Sequence, residues 1–340
     1  MLRSFFIYLS KAAWAQKLLT SWSIAWKVAS RFVAGETIAD AIRTIRELNE
    51  KCINATLDQL GEHTSTVEEA DRATQGILHV LDEIDKAGVR ANVSIKLTQI
   101  DMGLDEEICR QNLALILEQV KKHGNFLRID MEDTPYTDVT LSLYNSMLQR
   151  GFNVNQVGMV VQSYLFRTEA DVRKMLEYHT RLRLVKGAYK EPSDKAFPKK
   201  ADVDANFDLL TKLMIDATVK LEANKISADG RVPPIPAIAT HDEKRIDFAK
   251  QYAEKVGLPK EALEFQMLYG IRRDLQERLV NEGREDHLVD RLRQSRGGRN
   301  LVQLGMFEDI AFAAQLDTTS VVAELNLAEW RIHPMRAGRC

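Results

Sequence analysis

The sequence predicts an α/β fold of the (βα)8 TIM-barrel type, preceded by N-terminal helices. Short apolar runs rich in β-branched residues alternate with longer segments of helical periodicity, which is the pattern of repeated βαβ units around a parallel sheet. Several of these runs end in a polar or charged residue. Because the strand ends of a parallel barrel converge on one face, those side chains would surround a single mouth, where barrel enzymes carry out their chemistry.

The candidate elements follow one another regularly along the chain. Strands are predicted at Asn54–Leu60, Ala91–Leu97, Phe126–Met131, Val157–Gln162, Leu182–Gly187, Pro236–His241 and Leu263–Met267. Amphipathic crossover helices are predicted at Val67–Ala87, Glu106–His123, Val139–Gln149, Thr168–His179, Asn206–Asn224 and Glu243–Val256. A doubly wound open sheet is the alternative, but neither GxGxxG nor GxxxxGK[ST] occurs, so the barrel is favoured.

The chain is predicted to have three parts. Residues 1–50 form a helical segment that packs on the barrel, residues 51–283 form the barrel with its functional site, and residues 284–340 form an atypical tail. The first 33 residues mix apolar and aromatic positions with lysines, and no uncharged run reaches the roughly 20 residues that a membrane span requires. We interpret them as packed helices; the alternative is an amphipathic surface that rests on a membrane. No cleavable secretory signal is expected.

Composition indicates a small-molecule partner in a reducing compartment. The formal net charge is -2 at pH 7 and neither sign dominates a long block, which argues against a nucleic-acid footprint. Cys52, Cys109 and Cys340 are widely spaced and form no CxxC pair, so no structural metal is expected. The predicted location is the cytoplasm, with any peripheral contact at the inner face of the cell membrane.

The most specific segment is Arg181–Glu191, which reads RLRLVKGAYKE. It resembles the RLVKGAY motif of proline dehydrogenases. The resemblance runs collinearly from about residue 35 to residue 283 through Ser94–Leu97, Asp130–Asp133, Val161–Leu165, Ala239–Asp242 and Glu264–Gly270. It implies oxidation of L-proline to Δ1-pyrroline-5-carboxylate by hydride transfer to FAD, after which the electrons pass to a membrane quinone.

The resemblance also implies roles for the residues at the strand ends. Lys96 would supply a point charge to the proline carboxylate; its alternative role is a rim ion pair with Asp130. Asp130 occupies the position of a catalytic carboxylate, and Arg183 that of an arginine that stabilises negative charge on the reduced flavin near N5. Cofactor contacts are implied at Met131 through its backbone and at Gln162, Arg183, Lys186, Gly187, Ala188, Thr240 and His241. Arg181 is interpreted instead as a surface or barrel-outside cation.

The residues after Gly283 depart from the family pattern. The resemblance implies an eighth strand with a functional tyrosine there, then a helix with two adjacent arginines that clamp the proline carboxylate. Arg284–Arg293 has neither β alternation nor a tyrosine, and all 21 lysines of the chain precede residue 284. A reading-frame shift near codon 284 is the favoured explanation; a diverged cap and a domain replacement are the alternatives. The eighth strand and last helix are therefore in doubt, and the sequence predicts weak or absent turnover and poor solubility.

Two other functions stay open. One is a catalytically impaired FAD- or ligand-binding barrel that lacks the arginine pair. The other is a different barrel enzyme, such as a phosphate-ester aldolase in which Lys96 or Lys186 forms a Schiff base.

Overall fold

A computed structural model describes residues 33–59, 64–221, 225–315, 321–326 and 331–336. Seven strands form one parallel sheet whose spatial order equals the chain order. They are β1 (Ala55–Asp58), β2 (Ala91–Ile95), β3 (Leu127–Ile129), β4 (Val157–Gln162), β5 (Leu182–Val185), β6 (Pro236–Ala239) and β7 (Glu264–Gln266). All seven predicted strands are confirmed, and the curled parallel sheet has the predicted TIM-barrel type of architecture.

Helices precede and connect these strands. They are α1 (Ile38–Glu50), α2 (Val67–Ala87), α3 (Glu106–Lys122), α4 (Thr134–Gln149), α5 (Thr168–Glu177), α6 (Lys200–Lys220) and α7 (Glu243–Val256). The predictions for α2 and α7 match at both ends. The helix α4 begins at Thr134 rather than Val139, since a proline in its first turn, where no intrahelical N–H bond is needed, is compatible with a helix start. The helix α6 begins at Lys200 rather than Asn206. The prediction missed this start because the first residues of the helix show no apolar periodicity.

Local sequence signals set several of the helix ends. The side chains of Thr66, Asp105 and Asp242 accept hydrogen bonds from backbone N–H groups in the first turns of α2, α3 and α7. Gly88 and Gly257 end α2 and α7 in the left-handed conformation, with φ of 61° and 74°. The carboxyl ends of successive strands lie on one side of the sheet because all seven strands are parallel.

The two faces of the sheet carry different side chains. Buried apolar residues of β3, β4 and β5 belong to one large hydrophobic cluster with residues of the helices: Leu127, Ile129, Val157, Met159, Val161, Leu182 and Leu184. The alternate positions include two arginines and a glycine. Arg128 is in register with Gly158, and Val160 is in register with Arg183. Since in-register residues of parallel strands share a face, these four lie on the face opposite the helices.

Arg181 is buried, which makes its interpretation as a surface cation wrong. Only 4% of the residue is exposed. Its guanidinium donates to the backbone oxygens of Val154 and Pro233 and, at 2.6 Å, to the side-chain oxygen of Asn155. Arginine is seldom buried, so composition alone favours the surface; here hydrogen bonds from three neighbouring groups satisfy the cation.

Gly158 lies close to the Arg181 backbone and to the buried Arg128 side chain. A Cβ atom at this position would lie 2.4 Å from the Arg181 carbonyl oxygen and 2.7 Å from Cζ of Phe126. We expect Gly158→Ala to lower the free energy of unfolding by about 2 kcal/mol, because backbone atoms must shift to accept the methyl group. Urea unfolding followed by circular dichroism measures this change.

The matched control for that substitution is Gly103→Ala. A Cβ atom at Gly103 would meet only the Tyr136 hydroxyl, at an ordinary 3.7 Å. This variant is expected to change the unfolding free energy by no more than about 0.5 kcal/mol. Equal stability losses in the two variants would contradict the packing argument.

A second compact unit comprises residues 50–53 and the chain from Arg272 onward. Its described elements are α8 (Arg273–Gln294), α9 (Arg296–Gln303), α10 (Phe307–Ala313) and the antiparallel pair β8 (Val321–Asn326) and β9 (Arg331–Arg336). Residues 284–293, where the resemblance implied an eighth strand, are thus helical. Within the described residues the sheet of the first unit ends at β1 and β7.

The N-terminal prediction lies mostly outside the described residues. Residues 1–32 are not described, whereas α1 occupies the end of the predicted 1–50 segment. Among the residues that are described, no helix is both long and apolar enough to cross a membrane.

Candidate active site

An ion pair joins the ends of two strands on the face opposite the helices. Asp130 directly follows β3, and its carboxylate accepts a hydrogen bond from Nη1 of Arg183 on β5 at 3.0 Å. The side chains are 20% and 13% exposed, so water screens the pair only partly. Within the described residues, the Nε atom of Arg183 is buried without a hydrogen-bond partner. The arginine therefore keeps a donor that no described group satisfies.

A second ion pair lies at the ends of β1 and β2. The Lys96 ammonium is 3.2 Å from a carboxylate oxygen of Asp58, so the structure pairs this lysine with a residue other than Asp130. The other carboxylate oxygen of Asp58 is buried and without a partner. Sequence reasoning missed Asp58 because the predicted first strand ran on to Leu60. As the last residue of β1, Asp58 has the strand-end position that singled out the other candidates.

The two pairs affect each other electrostatically at Asp130. Burial raises the pKa of the Asp130 carboxyl above its usual value, and the neighbouring Asp58 carboxylate raises it further. The cations Arg183, Lys96 and Arg128 act in the opposite direction. The net effect is a raised pKa, so the protonation state of Asp130 is set by the balance of charges around it.

Gln162 ends β4 beside this cluster. Its amide nitrogen donates to the backbone oxygen of Met131 at 3.1 Å. The amide oxygen is buried and has no hydrogen-bond partner among the residues that the structure describes. An unpaired buried acceptor is costly in a folded protein. A bound molecule with an N–H group would satisfy it.

Lys186, just after β5, lies between two carboxylates. Its ammonium is 2.6 Å from an oxygen of Asp204 on α6 and 2.6 Å from an oxygen of Asp242 at the start of α7. Burial is the largest single influence and raises the pKa of both carboxyls, but the hydrogen bonds and positive charges of Lys186 and Lys200 together outweigh it, and both pKa values are lowered overall. Sequence reasoning did not assign Asp204, which lies 18 residues further along the chain.

The residues after Lys186 turn sharply over an aromatic ring. Gly187 has φ of 111°, and a Cβ atom there would lie 2.4 Å from the Tyr164 ring. Only glycine allows this approach. The segment is held further along by Glu191, whose carboxylate accepts the Thr134 backbone N–H at the start of α4 at 2.9 Å. Ala188 lies inside this fixed segment.

Thr240 and His241 follow β6. The Thr240 N–H donates to the Gln266 carbonyl oxygen at 3.1 Å, and the Thr240 hydroxyl accepts from the Asp242 N–H. The Leu268 N–H donates to Nε2 of His241 at 3.0 Å. Because Nε2 is the acceptor, Nδ1 carries the ring proton. The His241 ring is thereby oriented by the backbone that follows β7.

The candidate residues thus form two groups at the carboxyl ends of the strands. One group contains Asp58, Lys96, Asp130 and Arg183; the other contains Lys186, Asp204 and Asp242. Gln162 and Met131 are joined directly to each other, and Thr240 and His241 are held by backbone around β7. This arrangement offers fixed cations and unpaired donors and acceptors to a charged, planar or phosphorylated molecule.

Comparison with known proteins gives one consistent result. The family described as proline dehydrogenase matches residues 41–289. Proline dehydrogenase 1 of Bacillus subtilis (strain 168) is 37% identical over 286 residues, covering 83% of this chain and 87% of its own. The proline dehydrogenase of Deinococcus radiodurans is 37% identical over 261 residues, covering 76% of this chain and 79% of its own.

Solved structures resemble the same part of the chain. Proline utilization A (PutA) of Bdellovibrio bacteriovorus, inactivated by N-propargylglycine, has a TM-score of 0.67 and 25% identity over 76% of this chain. PutA of Corynebacterium freiburgense has a TM-score of 0.62 and 20% identity over 85% of this chain, a likeness of fold. The chain spans 30% and 33% of the length of these two PutA chains.

Proposed function

The chain belongs to the proline dehydrogenase family, and we propose that it oxidises L-proline to Δ1-pyrroline-5-carboxylate with FAD as hydride acceptor and a membrane quinone as final electron acceptor. The observation that carries this proposal is the group of two cations and two carboxylates at the ends of β1, β2, β3 and β5. An amino acid with a carboxylate and an amine needs both signs of charge within one site. We place the reaction in the cytoplasm at the inner face of the cell membrane, where a quinone is reached.

The residues present fit a flavin. The unpaired Gln162 oxygen and the unpaired Nε of Arg183 are an acceptor and a donor of the kind that a flavin ring satisfies. Gly187 lets the backbone turn closely against the Tyr164 ring, which fixes the segment that carries Lys186 and Ala188. We assign the ring and ribityl contacts to Met131, Gln162, Arg183, Lys186, Gly187 and Ala188, and the contacts with the far portion to Thr240 and His241. When bound, FAD supplies the atom, N5, that accepts the hydride.

The protein's own residues bind, orient and balance charge. Lys96 attracts the substrate carboxylate, and Asp58 holds the lysine in place. Arg183 stabilises negative charge that develops beside it during hydride transfer. The hydride leaves from proline with its nitrogen neutral, so a protein group or water accepts the amine proton. Asp130 orders Arg183, the amine and nearby water through its ion pair.

The colour of the purified protein tests the proposal directly. We expect a yellow protein whose flavin absorbance is bleached by L-proline without oxygen, because the hydride reduces the bound flavin. L-valine, which has the carboxylate and amine but no ring, is the control ligand and should leave the colour unchanged. A colourless protein that takes up no FAD would contradict the proposal.

One observation favours a second candidate function, a FAD-binding barrel with impaired turnover. Residues 273–294 form α8, and no pair of adjacent arginines follows Arg273 in the sequence. In that case the protein is yellow but L-proline does not bleach it. A Schiff-base aldolase is disfavoured, since the amino groups of Lys96 and Lys186 are both held in ion pairs with carboxylates.

A further inference from the structure

One carboxylate joins the connection after β5 to the connection after β3. Glu191, which follows Lys186 in the first of these, accepts two hydrogen bonds from Thr134. Its Oε1 atom accepts the Thr134 backbone N–H at 2.9 Å, and its Oε2 atom accepts the Thr134 hydroxyl. The Tyr164 hydroxyl also donates to Oε1, at 3.4 Å. Because Thr134 begins α4 and ends the connection that starts with Asp130, Glu191 fixes one connection to the other.

The same device joins the connection after β3 to the connection after β2. Glu132 accepts the Thr98 N–H at 3.1 Å with one carboxylate oxygen and the Thr98 hydroxyl at 2.6 Å with the other. The two residues are 2% and 1% exposed, so water does not compete for these bonds. We call each carboxylate with its threonine a clamp. Two clamps, Glu132–Thr98 and Glu191–Thr134, thus link the three connections that follow β2, β3 and β5.

The Glu191–Thr134 clamp does more than complete a helix. The first N–H groups of a helix have no acceptor within it, and the side chain of Asp133, just before α4, makes no capping bond within the described residues. Pro135 has no N–H group to satisfy. The helix dipole favours a carboxylate at this end, and the preceding helix α3 obtains one from its own flanking residue, Asp105. Because α4 takes its carboxylate from another connection, the same bonds also fix the distance between two connections.

The segment that begins with Lys186 is held at both ends. At its start, the Tyr164 N–H donates to the Lys186 carbonyl oxygen at 3.0 Å, and the Tyr164 ring lies against Gly187. Ala188, the next residue, is exposed. Little packing therefore holds the middle of the segment. Its position depends on the contacts with Tyr164 at one end and on the Glu191–Thr134 clamp at the other.

We propose that Glu132 and Glu191 are positioning residues whose clamps hold the connections after β2, β3 and β5 in fixed positions around the bound flavin and substrate. Each connection carries a candidate site residue: Lys96, Asp130 and Lys186 in turn. That role rests on the proposed function. The coupling of one connection to the next does not, and it is measurable without flavin or proline.

The first experiment measures hydrogen–deuterium exchange of the full chain by mass spectrometry, without added flavin or proline. In Glu191→Ala, exchange is expected to become about tenfold faster both in residues 186–191 and at Thr134, since loss of the clamp frees both connections to open locally. Glu191→Gln should exchange like the wild type, because its amide oxygen can accept the Thr134 N–H and its amide nitrogen can donate to the Thr134 hydroxyl. A rise confined to one connection, or a glutamine variant as fast as the alanine variant, overturns the proposal.

The matched control is Asp105→Ala. The Asp105 carboxylate also caps a helix start, but it accepts the N–H groups of Glu107 and Ile108 in its own helix α3, at 2.8 and 3.1 Å. Its loss is expected to lower the urea midpoint about as much as Glu191→Ala does and to speed exchange only in the first turn of α3. An equal rise in residues 186–191 would mean that loss of any capping carboxylate has this effect, which overturns the assignment to Glu191.

The Glu132–Thr98 clamp is tested from the threonine, because a buried glutamate is hard to replace without unfolding the protein. Thr98→Val keeps the size of the side chain and the backbone N–H bond but removes the hydroxyl that donates to Glu132. Exchange is expected to become about threefold faster in residues 96–100 and 130–133. In the control Thr74→Val it should not change, because Thr74 is 1% exposed and its hydroxyl has no partner among the described residues. Equal exchange in the two variants overturns the role of this clamp.

Binding of FAD tests the positioning role itself. The dissociation constant, followed by quenching of flavin fluorescence, is expected to rise about tenfold in Glu191→Ala, since a connection that is in place a tenth of the time binds tenfold less tightly. Adding Thr134→Val should bring no further rise, because the two residues share one interaction. Equal constants in wild type and Glu191→Ala, or independent losses in the double variant, overturn the proposal. A wild-type chain that takes up no FAD contradicts the proposed function alone, because the exchange experiments still decide whether the clamps couple the connections.

Discussion

Replacing the residues after Gly283 with a segment that forms an eighth parallel strand and then a helix with paired arginines is expected to raise kcat/KM for L-proline by about 100-fold or more. The described sheet ends at β1 and β7, and residues 273–294 form a helix. Two arginines would bind the substrate carboxylate bidentately, an interaction that one lysine cannot replace. Dye-linked reduction by L-proline measures the change.

A second replacement separates closure of the sheet from binding of the substrate. It has the same strand and helix, with both arginines changed to glutamine. Added pairing with β1 and β7, at which the described sheet ends, should improve solubility and thermal stability in both replacements, whereas only the arginine form should lower KM. Equal kcat/KM in the native chain and the arginine replacement would show that the native tail is competent.

The nucleotide sequence tests the favoured origin of the tail. A reading-frame shift near codon 284 predicts that one alternative frame encodes a strand with a tyrosine and then two adjacent arginines. If neither frame does, the tail is a diverged cap or a replaced domain. Either result leaves the expected effect of the replacement unchanged, because that effect depends on the missing strand and arginines and not on how they were lost.

Most of the fold was predictable from sequence because short apolar runs, such as β2 and β4, which are buried at every position, alternate with segments of helical periodicity. That alternation predicts a parallel sheet of βαβ units, as the structure shows. It does not predict the ends of the strands, because a run of apolar residues continues past the last ladder hydrogen bond. The strand β1 ends at Asp58, before the predicted end at Leu60. Asp58 was therefore not recognised as a strand-end residue, and the partner of Lys96 was not predicted.

The ion-pair and hydrogen-bond partners of the site residues could not be predicted from the sequence. Which carboxylate meets Lys186 depends on how α6 and α7 pack, and Asp204 and Asp242 lie 18 and 56 residues away in the chain. The burial of Arg128 depends on the absence of a side chain at Gly158, a residue on the neighbouring strand β4. A single sequence does not show which residues of neighbouring strands lie in register. The usual preference of arginine for the surface predicts exposure, whereas the side chains of Arg128 and Arg181 are buried.

Replacing Arg183 by lysine is expected to slow the bleaching of the flavin by L-proline by about 100-fold while the protein stays folded and yellow. Lysine retains a positive charge near Asp130, so the ion pair and the binding of substrate should change little. It lacks the planar guanidinium and its Nε donor, the atom that no protein group satisfies. The loss should therefore appear in the rate of bleaching at saturating L-proline rather than in the concentration that saturates it.

The matched control is Arg173→Lys. Arg173 is an exposed arginine that pairs with Glu169 one helical turn away, at 2.8 Å, so the same change of chemistry occurs outside the site. It should leave bleaching unaffected. Adding Asp130→Asn to Arg183→Lys completes a double-mutant cycle: because the two residues share one ion pair, the combined loss should be smaller than the product of the single losses. Independent losses would mean that Arg183 acts without Asp130, and the carboxylate would then need a separate role in accepting or ordering the amine proton.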